Sequence, residues 1–111
     1  MRDWVCVNDV AGVLSSMGHC ATEDAPKFNV GTGIGTAVRE IAQRVIDAWH
    51  GDARGVAELS FTGASRPGDP FSLVASAQKS MAFGFACDFP IVDGIAQYVQ
   101  WFKRLQVSTD G

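Results

Sequence analysis

Phe28-Asn29-Val30-Gly31-Thr32-Gly33-Ile34-Gly35-Thr36-Ala37-Val38-Arg39-Glu40-Ile41-Ala42-Gln43-Arg44-Val45-Ile46-Asp47-Ala48-Trp49 runs from a short apolar alternation through three glycines into a helical repeat. Val38, Ile41, Ala42, Val45, Ile46 and Trp49 fall at i, i+3, i+4, i+7, i+8 and i+11, which is one face of an α-helix. Thr36 is the expected N-cap, and Gly51 the expected residue at which a left-handed conformation stops the helix. Phe28 and Val30 around Asn29 predict a short strand. A helix with so strong an apolar face needs a surface to pack on, since each large side chain withdrawn from water contributes roughly 1.5–3 kcal/mol.

The flanking sequence supplies candidates for that surface. Upstream, Val5, Val7, Val10, Val13, Leu14 and Met17 pass from alternating to helical spacing. Asn8 or Asp9 is the expected cap there and Gly18 the expected end. His19 to Lys27 reads as a loop. Downstream, Ala57, Leu59 and Phe61 alternate with Glu58, Ser60 and Thr62, the period of a strand with one covered face. Gly63 to Phe71, with two prolines and two glycines, reads as turns. A short helix is predicted over 75–83. A longer one is predicted from Ile91 to Leu105, with Pro90 at its first turn and Ile91, Ile95, Tyr98, Phe102 and Leu105 on one stripe. The expectation is one small α/β (α+β) domain over residues 1–111, with about four helices and two or three short strands.

Composition narrows the function classes. At 111 residues, 47% hydrophobic and 19% charged, the chain has the make-up of one folded domain. A net charge of −3 provides no positive field for nucleic acid or an anionic membrane, so any anion must be caught locally. Met1-Arg2-Asp3-Trp4 does not open a leader peptide and no apolar run is long enough to span a bilayer, so a cytoplasmic location is expected. Three widely spaced cysteines, Cys6, Cys20 and Cys87, argue for reduced thiols over a disulfide framework or zinc knuckle. His19 beside Cys20 lacks the further ligands that a metal site requires.

Two motifs bear on binding. Gly31-x-Gly33-x-Gly35 sits where a dinucleotide fingerprint would place its glycines, but the third glycine of that fingerprint falls on Thr36. A tight structural turn is the better reading. In Arg66-Pro67-Gly68-Asp69 a proline-stiffened loop holds a guanidinium near a carboxylate, a pairing suited to a phosphate and a sugar hydroxyl. The same four residues also suit an exposed loop with a weak ion pair, and chemistry alone does not separate the two. Arg2-Asp3 by itself reads as a solvated pair. No Gly-x-Ser-x-Gly elbow accompanies His19 or His50, and Trp4, Trp49 and Trp101 fit packing roles.

Three stretches in order, Arg2-Asp-Trp-Val-Cys-Val-Asn-Asp9-Val-Ala11, Phe28-Asn-Val-Gly31-Thr-Gly33-Ile-Gly35-Thr36 and Arg66-Pro-Gly-Asp69, resemble the carboxy-terminal part of the extended short-chain dehydrogenase/reductase family. Within it they are similar to the nucleotide-sugar epimerases and dehydratases. A weaker likeness extends from Ile91-Val-Asp-Gly94-Ile95 to Trp101-Phe102. In that family an amino-terminal Rossmann lobe holds NAD and carries a Tyr-x-x-x-Lys pair, while the part resembled here builds the nucleotide-diphosphosugar site. The resemblance implies that Arg2 and Arg66 approach a diphosphate and that Asp69 approaches the nucleotide ribose.

The departures are equally informative. Tyr98 is the only tyrosine and is followed four residues on by Phe102, so the proton-transferring pair is missing, as is any NAD fingerprint. Cys6 stands where the family usually has a histidine. The resemblance therefore implies a substrate lobe that binds no cofactor and does not catalyse alone, NAD requiring the Rossmann lobe. Surfaces that would meet that lobe should then be exposed, and a homo-oligomer, most simply a two-fold dimer, is expected to cover them. A Rossmann-lobe subunit in trans is the other implied partner. The rival reading is a non-catalytic oligomeric remnant without a ligand.

Overall fold

A computed structural model of the chain describes residues 1–51 and 57–110. Its order is β1 (Arg2–Asp3), α1 (Val7–His19), β2 (Gly35–Thr36), α2 (Val38–His50), α3 (Gln78–Ala82) and α4 (Ile91–Asp110). This is a small α+β domain with four helices among the described residues. β1 and β2 pair antiparallel, Arg2 opposite Thr36 and Asp3 opposite Gly35. On the other edge of β1, Leu73 forms a parallel bridge with Arg2, closed by Leu73 N–H to Met1 O at 3.0 Å and Asp3 N–H to Leu73 O at 3.1 Å. Three remote segments thus meet at the first three residues.

Successive residues of an extended chain point to opposite sides, and Trp4 and Val5 use this to join two cores. Val5 packs with Met17, Phe28 and Val30 on a cluster of Val13, Phe85 and Cys87. Trp4 packs with Val45, Trp49 and Ile91 on Ile41, Ile95 and Val99, where α2 meets α4. Ile41, Val45 and Trp49 of the α2 repeat are used as its spacing predicts, whereas Val38 is half exposed and Ala48, outside the repeat, joins the contact. Trp49 stacks obliquely on Phe102 at 5.9 Å, and Lys103 lies 5.0 Å above the Trp49 ring while donating to the Trp49 carbonyl at 2.6 Å. Gly51 ends α2 with φ 59°, its N–H on Asp47 O at 2.8 Å.

Several local expectations are corrected. The segments 28–30 and 57–61 form no strand, because neither finds a neighbouring ladder; the pairing goes instead to two-residue strands too short to show a period. Thr36 belongs to β2, and Ala37 caps α2 without a side-chain bond. Cys6, not Asn8 or Asp9, precedes α1, and its carbonyl accepts the first helical bonds. Asp9 points away from its own helix: its Oδ2 accepts Phe89 N–H at 2.9 Å and fixes the entry to α4. The helix predicted over 75–83 is shorter, Gln78–Ala82, ended on its C-terminal side by Gly84 at φ 83°, and the last helix continues past Leu105 to Asp110.

Candidate functional site

Asp3 is no solvated partner of Arg2. Its Oδ1 accepts Thr32 N–H at 3.0 Å and the Thr32 hydroxyl at 2.6 Å, and its Oδ2 accepts Gly33 N–H at 2.9 Å and Ala75 N–H at 3.2 Å. Burial pushes this carboxyl up, but the four hydrogen bonds outweigh it and hold it below its ordinary value. The Arg2 guanidinium faces elsewhere and donates to Met1 O at 2.9 Å.

That arrangement explains the glycine-rich turn. A Cβ on Gly31 would meet Asp3 Oδ2 at 2.6 Å and Ala75 Cβ at 2.7 Å, and Gly33 adopts φ 75°. Its amides do cradle an anion, but the anion is the chain's own carboxylate. With Thr32 and Gly33 N–H already engaged, the turn does not fit a dinucleotide pyrophosphate, which agrees with its glycine spacing.

Arg66-Pro67-Gly68-Asp69 forms one closed turn. Asp69 N–H donates to Arg66 O at 3.2 Å and Gly68 takes φ 89°, with proline at the second position, the pattern of a type II turn. Such a turn sets its first and fourth residues within about 7 Å of each other by Cα. Both side chains are exposed, and among the described residues the one ion pair is Arg44–Glu40 on α2, so Arg66 and Asp69 do not neutralise each other. The turn connects to β1 through Phe71–Leu73, and Arg2 lies across the bridge from Leu73. The bridge sets Arg2 beside Leu73, and among the described residues no hydrogen bond or ion pair joins Arg2 to Arg66 or Asp69.

Two apolar clefts went unnoticed in the residue spacing. One, of about 260 Å³, lies among Met17, Pro26, Phe28, Phe83 and Phe85, with Cys20 at its margin. Its rings meet edge to face, Phe28 lying 4.9 Å from Phe83 and 5.4 Å from Phe85. The repeated aromatic in Phe83-Gly84-Phe85 was the available signal. The other, of about 490 Å³, lies between the start of α1 and the middle of α4, lined by Cys6, Val7, Gly94, Tyr98 and Trp101. Cys87 is buried, and burial and the nearby carboxylates of Asp9, Asp3 and Asp88 push its thiol up, so it packs as an apolar group. Among the described residues no three His, Cys, Asp or Glu side chains gather as metal ligands, and no helix is long and apolar enough to cross a membrane.

No protein-family model matches the chain, and neither a characterised protein nor a solved structure matches it.

Proposed function

We propose that these residues form a substrate-binding lobe similar to that of the nucleotide-sugar epimerases and dehydratases, one that binds a nucleotide diphosphate and does not catalyse alone. The supporting observation is the 66–69 turn, which carries an exposed guanidinium at its first residue and an exposed carboxylate at its fourth with no ion pair between them. A preformed turn loses little conformational freedom on binding. The Arg66 fork suits a phosphate oxygen pair, and the Asp69 carboxylate suits ribose hydroxyls. By the resemblance, Arg2 would add a second positive charge to the diphosphate. The redox step belongs to a Rossmann lobe, which would complete the site as a separate stretch of polypeptide holding NAD. A non-catalytic, self-associating role without ligand is the second reading, favoured by the exposed apolar face of α1 and α4.

Calorimetric titration with UDP tests the first reading. Saturable heat is expected, with affinity at least about 10-fold weaker in Arg66→Ala, the loss of one charge-assisted contact pair. Heat unchanged by Arg66→Ala, or no heat at millimolar UDP, overturns it.

A further inference from the structure

Phe71 is the most exposed large apolar side chain among the described residues, at 94%, and it stands two residues beyond the turn that carries Arg66 and Asp69. A phenyl ring left in water adds nothing to the hydrophobic free energy of folding. Its backbone is nevertheless held. Pro70 fixes φ immediately before it, the Phe71 carbonyl accepts from Met1 N at 2.8 Å, and Leu73, two residues on, is bridged to β1 through Met1 and Asp3. The apolar side chains nearby are used differently: Met1 and Val74 close over Gly35, where an added Cβ would stand 3.0 Å from each. Phe71 is thus an anchored ring that its own chain does not use.

The order of groups along this segment matches the order of parts in a nucleotide. The turn holds Arg66 and Asp69 within about 7 Å of each other by Cα, and two residues of chain place Phe71 at most about 7 Å beyond Asp69. A nucleoside diphosphate presents charged phosphate, hydroxyl-bearing ribose and flat base in succession, at comparable separations. A guanidinium suits the first and a carboxylate the second. An aromatic ring suits the third, because every nucleobase has a π-face that stacks on one. With nothing of its own chain against it, the Phe71 ring is free to turn about χ1 and meet that face.

We propose that Phe71 is the base-stacking residue of the nucleotide site, so that residues 66, 69 and 71 take phosphate, ribose and base in turn. The inference rests on the nucleotide-binding reading of the 66–69 turn and adds the part of the ligand that the turn itself leaves unheld. It makes the base, and not the diphosphate alone, a source of affinity.

Calorimetric titration of the full chain with UDP, joined to proton NMR of the UDP signals, tests it. Phe71→Ala should bind UDP at least about 5-fold more weakly than wild type, the low end of what one base–aromatic stack contributes. Phe71→Leu, which keeps apolar bulk without a ring face, should behave like Phe71→Ala, and Phe71→Tyr should restore most of the affinity. On binding to wild type and to Phe71→Tyr the uracil ring protons should move upfield, shielded by the aromatic ring against them, and with Phe71→Leu they should not. A merely structural role for Phe71 would produce no such movement. UDP binding that is unchanged in Phe71→Ala but lost in Arg66→Ala overturns this assignment and leaves the nucleotide site in place. So does a loss of affinity in Phe71→Leu with no upfield movement in wild type. No UDP binding by wild type overturns the nucleotide reading and this assignment with it.

Discussion

Thr32, Gly33 and Ala75 deliver four hydrogen bonds to Asp3 from positions 29 and more residues away, so one carboxylate fastens β1 to the glycine turn and to the segment before α3. Asp3→Ala would leave several part-buried donors without acceptors and should cost about 2–4 kcal/mol, measured as a lower urea midpoint. Asp3→Asn should retain only part of this, because the amide nitrogen would face donors. The pH dependence follows in sign. The folded carboxyl titrates below its ordinary 3.8, so the unfolded chain binds the proton more readily. Asp3's contribution is complete above that ordinary value and is lost as pH falls through the lower folded one. Urea midpoints taken from about pH 5 to pH 2 should therefore fall less steeply in Asp3→Asn. An unchanged acid limb would show that the four bonds do not favour the ionised form. None of this was legible in the adjacent Arg2-Asp3 pair, whose partners lie beyond any local spacing.

Helices were far more legible than strands, for a physical reason visible in α2. Its apolar face recurs over 13 residues, and Ile41 is buried against α4 as that recurrence requires. The strands span two residues each, shorter than one period of alternation, and are specified by Asp3 and by the bridge to Leu73. Ala57-Leu59-Phe61 shows the converse: a correct period without a neighbouring strand makes no sheet. On α4 the helix was evident but its orientation was not. Ile95 and Val99 are buried with Ile91 partly buried beside them, and Tyr98 and Leu105 lie off that line, because an arc this wide does not reveal which part faces the core. The 66–69 turn was legible, since Pro67 and Gly68 dictate one, while Arg2's pairing with Leu73 was not, because that bridge joins residues remote in sequence. Ile95→Ala should accordingly cost about 2–4 kcal/mol in denaturant unfolding, the penalty of a core cavity. Leu105→Ala, on the same helix, should cost much less at concentrations where the chain is monomeric. Equal costs would place the α2/α4 core elsewhere.

The molecule as a whole is extended: its radius of gyration is 17.4 Å, against about 13 Å for a compact chain of this length. Two small cores, joined through Trp4 and Val5, divide the apolar side chains that one centre would otherwise hold. A chain so divided gains little from folding alone, because small cores barely exceed the conformational entropy they oppose. If a second copy covers the α1/α4 face, as the self-associating reading has it, the free energy of that contact is added to the stability of each chain, and mass action then makes unfolding depend on concentration. On that reading the urea midpoint should rise as protein is raised from about 1 to 100 µM, by an increment matching about 2.7 kcal/mol per dimer for a hundredfold change. Trp101→Glu should remove the dependence while leaving the dilute-limit midpoint nearly unchanged, since Trp101 is 52% exposed in the single chain. A wild-type midpoint that stays fixed over that range would mean that the two cores suffice without the second copy, and that the open face contributes nothing to folding.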